Sequence, residues 1–299
     1  MFRLLLLIVV LISCYLFLNP PVTVVADLPP LPQQIEVVAK PGVTPYELQA
    51  VKRSLSLAAN VLEKEAGLKL QHPVRVIVTP DLTSYYSVLT GEEGIDRDSA
   101  LFQASISAGT TKDDHIVINS GSVPHYNDLI FIAAHELTHQ YQFETVGEWS
   151  RNNWFIEGMA EVVAATVVGV NQGNREMAVN DYRHTWLLQM RKAAPELPGL
   201  GQLDKRTDWF QAFQQYHTLP YRYGALAVFS LMDEQGLPGL GAYIKLRNRG
   251  LAADDAFEKV YKRPLPNFYK QQDNWLKEKT DEKHYEIKAG IFSFTKTAA

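Results

Sequence analysis

Cysteine is almost absent from this 299-residue chain: Cys14 is the only one, and it lies in the apolar N-terminus. No internal disulfide can form and no thiolate metal site can be assembled, so a metal would have to be held by His and carboxylate groups. A basic surplus is absent too. The net charge is -4 and the pI about 6.1, which is not the footprint of a nucleic-acid binder. Charges of both signs are interspersed, so no polybasic membrane patch stands out. No internal repeat is present, and no low-complexity stretch beyond one proline-rich segment. What remains is ordinary globular composition, 46% apolar and 21% charged, in a chain long enough for a sizeable core.

Residues 1–18, MFRLLLLIVVLISCYLFL, combine a basic start at Arg3 with an apolar run from Leu4 to Leu18. That is the form of a secretory signal, and it is short for a membrane span of about 20 residues. Three fates are open. Val24-Val25-Ala26 is placed for cleavage before Asp27, Leu11-Ile12-Ser13-Cys14 resembles a lipoprotein box, and the segment can be retained as an anchor. Each puts the remainder outside the cytoplasm, in the periplasm or cell envelope, with membrane association through the N-terminus. We therefore expect a signal or anchor over 1–26, a proline-rich extended stem over 27–34, a folded domain over 35–281 and a tail over 282–299.

Within the domain, the β-branched segments Ile35–Ala39, Val74–Val78 and His115–Asn119 predict strands, and Ala100–Thr110 alternates loosely as a fourth. Pro45–Gly67 has helical spacing, with Thr44 as cap and Pro45 at the first helical position. Asp81–Leu89 predicts a short helix. Two strong helices follow, over Asp128–Glu144 with Asn127 as cap, and over Trp154–Val168 with Asn152 or Asn153 as cap and Gly169 as stop. Beyond them the pattern is almost wholly helical. Strands come first and helices second, which predicts an α+β fold with a sheet-containing lobe over about 35–145 and a helical lobe over about 146–281.

The chemistry is concentrated in the two middle helices. His135-Glu136-Leu137-Thr138-His139 is an HExxH sequence. On a helix its two imidazoles lie about 40° apart, one turn along one face, where they can share an ion. Glu136 is turned about 100° from His135, too far to be a comfortable ligand but beside the open coordination position. Trp154-Phe155-Ile156-Glu157-Gly158-Met159-Ala160-Glu161 follows, with 17 residues between His139 and Glu157. Glu157 and Glu161 stand one turn apart on an apolar helix, where carboxylates need a positive partner. A zinc ion satisfies Glu157, and a ring N–H of a ligating histidine satisfies Glu161. His135, His139 and Glu157 as ligands leave a fourth position for water, the arrangement of a catalytic site.

HExxH followed by an EGxAE-type helix resembles the gluzincin metallopeptidases, and is most similar to the peptidase MA-like domains with their W-x-x-EG-x-A-E helix, over about residues 72–280. The resemblance implies a thermolysin-like (zincin-type) catalytic domain, a single zinc ion, and hydrolysis of a peptide or protein substrate through a metal-bound water with Glu136 as general base. It also suggests Tyr221, three residues before Gly224, as an oxyanion donor, with Tyr223 and His217 as competitors. The 17-residue gap is one shorter than in the related aminopeptidases, so no exopeptidase activity is implied. A strand above the metal would bind substrate backbone, and Phe102–Ala108 is the candidate. Trp186, Trp209, Phe213 and Phe229 read as core. Two rival readings remain: a zinc-retaining binding domain without turnover, and a hydrolase of a non-protein amide of the envelope.

Overall fold

The strands form where β-branched residues run together, and their order brings the last two against the helix that carries HExxH. The computed structural model describes residues 28–123, 125–143, 152–191 and 197–280. The expected signal segment with Cys14, the C-terminal tail, Gly147 and the end of a helix at Glu144 lie outside them. Strands β1 (Ile35–Ala39), β2 (Val74–Thr79), β3 (Gly109–Lys112) and β4 (His115–Asn119) make one mixed sheet in the order β1-β2-β4-β3. β1, β2 and β4 are parallel, while β3 runs antiparallel to β4 and forms an edge.

Helices cover both faces of the sheet. Helix α1 (Pro45–Asn60) begins with a reciprocal cap, the Thr44 side chain on the Glu47 amide and the Glu47 carboxylate on the Thr44 amide. It continues into a π turn over Val61–Glu65. Helices α2 (Leu82–Gly91) and α3 (Arg97–Ile106) are capped by Asp81 and Asp96. Alternation along β2 sends Val74, Val76 and Val78 to the main core, whereas Ile77 and Val117 meet Tyr85, Val88, Leu89 and Ala100 on the opposite side. The main core then runs without a break through α4 (Tyr126–Gln142) and α5 (Asn153–Asn171) into the helical part. That part contains α6 (Arg175–Arg191), α7 (Arg206–Tyr216), α8 (Leu219–Asn248), α9 (Ala253–Tyr261) and α10 (Leu265–Thr280). The expected two parts therefore share one core. Helix α5 is long and apolar enough to cross a membrane by composition, but 89% of that stretch is buried within the protein.

The structure corrects four expectations. Ala100–Thr110 is not a strand: most of it is α3, and the strand starts only at Gly109. The HExxH helix begins at Tyr126 after His125, two residues before the expected start. Gly169 does not stop α5, which continues to Asn171; the glycine instead admits the main chain of Arg175, 2.7 Å from where its Cβ would lie. Residues 28–34 are packed rather than a free stem. Ser56 donates to the Pro29 carbonyl, Leu31 rests on the core, and the Gln34 carbonyl accepts from Val74 at 2.8 Å. The α+β expectation and the small mixed sheet hold.

Candidate metal centre

Helices α4 and α5 meet with HExxH facing the Glu157 turn. The N-terminus of α5 is fixed by Asn152, whose backbone is left-handed at φ 74°. Its amide and side-chain nitrogen donate to Asp204 at 3.0 and 2.7 Å, and its side-chain oxygen accepts from Tyr243. Five residues on, Glu157 faces both histidines. His135 Nε2 and His139 Nε2 are 3.2 Å apart, and each is 3.5 Å from Glu157 Oε2. A tetrahedral ion with bonds of about 2.0–2.1 Å spaces its donors about 3.4 Å apart, so the near-equilateral triangle suits such an ion. The three side chains are only 12, 11 and 21% exposed, so the triangle is largely but not wholly buried.

Both rings are oriented from behind. His139 Nδ1 donates to Gln142 Oε1 at 2.8 Å. The amide of Gln142 is itself fixed, because its nitrogen donates to the Ile156 carbonyl at 2.9 Å. His135 Nδ1 faces Glu161 Oε1 at 3.5 Å. With the proton on each Nδ1, the Nε2 lone pairs converge, as metal ligation requires. Glu161 does not act alone: Arg222 donates to its other oxygen, and the guanidinium lies 5.1 Å over the Trp186 ring.

Glu136 stands beside the triangle, under the edge strand. Thr111 Oγ1 is 2.7 Å from Glu136 Oε2 and 3.0 Å from its carbonyl oxygen. β3 passes so close that a Cβ on Gly109 would lie 2.8 Å from Glu136 Cγ and Oε1. Only glycine fits there without displacing the carboxylate.

Tyr221 also reaches the site, its ring 6.4 Å from that of His135. Burial raises its pKa well above the ordinary phenol value, and the charges of Glu157, Glu161 and Glu136 raise it further. The hydroxyl thus stays protonated and able to donate at neutral pH. Of its competitors, Tyr223 is spent in the core on Asp273, and His217 is exposed at the C-terminal end of α7. The expected strand at Phe102–Ala108 is replaced by β3 as the element over the site.

No family model and no curated protein matches the chain.

Sequence reasoning thus named six residues that the fold brings together: His135, Glu136, His139, Glu157, Glu161 and Tyr221. It missed Thr111, Gln142 and Arg222. Gln142 had a signal, since its i+3 offset from His139 puts it one turn further along the same side of the helix. We expect Gln142→Leu to weaken metal binding by about 10- to 100-fold, read by competition with a chromogenic chelator. An unchanged affinity would show that Gln142 does not set the His139 tautomer.

The electrostatics predict proton-coupled metal uptake. Burial disfavours the charged form of His135, but the Glu157 and Glu161 carboxylates outweigh it and push the pKa up to about 10. His139 is raised as well, and Glu157 is held far below the usual carboxylate range by the two rings despite its burial. In the metal-free protein the His135 proton is therefore present throughout pH 6–8 and must leave when a metal binds. Apparent affinity should rise about tenfold per pH unit for each proton displaced. Calorimetry in buffers of different ionisation enthalpy counts those protons; none released would contradict the assignment.

Proposed function

We propose that the protein is a zinc metallopeptidase with a zincin-type catalytic domain, exported by its apolar N-terminus. The observation carrying this reading is the carboxylate of Glu136 beside a triangle of three metal-binding donors, His135, His139 and Glu157. A structural zinc site uses four protein ligands and needs no such base.

His135, His139 and Glu157 would hold the ion, with Gln142, Glu161 and Arg222 fixing the rings. Bound there, zinc would polarise a substrate carbonyl and acidify a water. Glu136, held by Thr111, accepts the proton of the attacking water and returns it to the leaving amine nitrogen. Tyr221 donates a hydrogen bond to the developing oxyanion, where a preorganised donor contributes most. The open edge of β3 is available to pair with an extended substrate backbone, which would carry its carbonyl past Glu136.

The test is metal removal and return on the full-length protein in detergent, with casein as substrate. A single zinc per chain, cleavage abolished by a chelator and restored by stoichiometric zinc would support the reading. Zinc bound without cleavage of casein, but with hydrolysis of an envelope-type amide, would move the activity to that class. Bound zinc with neither reaction would favour a binding domain, and no zinc uptake would remove the ligand assignment.

A further inference from the structure

Large apolar side chains exposed to solvent are few among the described residues, and four of them lie on two neighbouring helices. Of the nine among the described residues, Leu101, Phe102 and Ile106 lie on α3 and Phe210 lies on α7. They are 62, 39, 45 and 44% exposed, respectively. Phe102 and Ile106 are one helical turn apart, so they share a face. The two helices come from distant parts of the chain and touch through the Phe102 and Phe210 rings, edge to face with centroids 5.8 Å apart. An apolar grouping of this kind marks an interaction site more often than chance.

The grouping leads to the metal centre. Phe210 stacks on Phe213 at 6.5 Å, Phe213 meets Tyr221 at 5.9 Å, and Tyr221 is 6.4 Å from His135. Trp209 closes the inner side of this row against Tyr221 at 5.2 Å. An aromatic row thus runs from the solvent to a metal ligand. Its outer end is tied to the edge strand. Gln103 on α3 donates to Thr110 on β3, and only Ser107 and Ala108 separate α3 from the Gly109 that covers Glu136.

We propose that this row is the side-chain subsite of the enzyme, and that the substrates are extended peptide segments carrying a large apolar residue, aromatic or long aliphatic, near the bond that is cut. The inference rests on the metallopeptidase reading. A backbone paired with β3 sends alternate side chains to one side of the strand, and α3 and α7 bound that approach to Glu136. The inner end of the row, Tyr221, lies beside His135, so a side chain reaching along the row shares the site with the reacting group. Phe213, read from sequence as core, is here half-exposed and part of the row.

The experiment uses two fluorogenic peptides that are identical except for a central Phe or Ser. Full-length, zinc-loaded wild type should cleave the Phe peptide with a kcat/KM higher by roughly 10- to 200-fold, the range that a single apolar contact supplies. Phe210→Ser and Phe102→Ser should pull that ratio toward unity. Met177→Ser, which removes an exposed apolar side chain on α6, should leave it as in wild type. In parallel, anisotropy measures the binding of labelled versions of both peptides to the Glu136→Gln protein. Equal cleavage and equal binding of the two peptides overturn the subsite and leave the peptidase reading standing. No cleavage by wild type with tighter binding of the Phe peptide, lost in Phe210→Ser, supports the subsite while the peptidase reading falls. No binding of either peptide overturns the subsite whatever the enzyme cleaves.

Discussion

Glu136→Gln should keep its metal and lose between about a hundredfold and ten thousandfold in kcat, the contribution of a positioned general base. The substitution changes the charge with almost no change of shape, and shape is constrained here. Gly109 leaves no room beyond the present side chain, and Thr111 can still hydrogen-bond to an amide. The triangle of His135, His139 and Glu157 is not touched directly, so zinc content should match wild type. Because Glu136 contributes to the charge that raises His135, a slightly lower proton affinity of that ring is expected as a by-product. The measurement is kcat and KM on a peptide substrate together with metal content on the same preparation. A variant with full zinc and wild-type turnover would remove Glu136 from the mechanism. Loss of zinc together with turnover would place it instead among the groups that hold the ion.

The candidate metal centre was legible because it is local. His135, Glu136 and His139 sit within one helical turn, and Glu157 and Glu161 within another, so helix periodicity alone fixes their faces. The groups that refine the site are not local. Thr111 meets Glu136 across 25 residues, and Arg222 reaches Glu161 across 61. No spacing rule connects such pairs; only the antiparallel turn of β3 and the start of α8 bring them in. Tyr221 was named from a family resemblance, whereas its neighbours Trp209 and Phe213 could be given only a generic core role. Their contact with Tyr221 depends on how α7 packs against α8.

The fold was read correctly where local signals agree. Thr44, Pro45 and Glu47 announce α1, and the runs at Ile35, Val74 and His115 are strands at nearly the expected limits. Reading failed at residues 100–110, where signals conflict. The loose alternation along Ala100–Thr110 suggested a strand, yet Asp96 caps a helix by accepting from the Ser99 amide at 3.0 Å. The Asp-x-x-Ser spacing was present in the sequence and carried more weight than loose alternation. β3 itself, Gly-Thr-Thr-Lys, has weak strand propensity and exists because β4 supplies its hydrogen bonds.

Gly158→Ala should be a strongly damaging substitution despite its small size, and its damage should reach the candidate metal centre. The added Cβ would lie 2.4 Å from the Gly224 carbonyl oxygen, 2.5 Å from its carbon and 2.9 Å from the Ala225 nitrogen. All three are backbone atoms of α8, so no side-chain rotation relieves the contact. The interlock is reciprocal, since a Cβ on Gly224 would meet the Trp154 carbonyl at 2.5 Å. Overpacking of this sort commonly costs about 1–3 kcal/mol. With backbone on both sides we expect the upper end, a loss of about 6–12 °C in Tm for a domain of this size. Alanine at Gly91, where nothing lies within 4 Å, is the matched control and should be neutral or slightly stabilising. The second consequence separates packing from function. Glu157 is the neighbouring residue, and Tyr221 and Arg222 belong to the helix that α5 would push away. Parting α5 from α8 therefore displaces one proposed ligand and loosens the groups around the other two, and zinc affinity should fall with Tm. A variant that loses Tm but binds zinc as tightly as wild type would show that the triangle is held by α4 and the N-terminal turn of α5 alone, independent of how α8 packs.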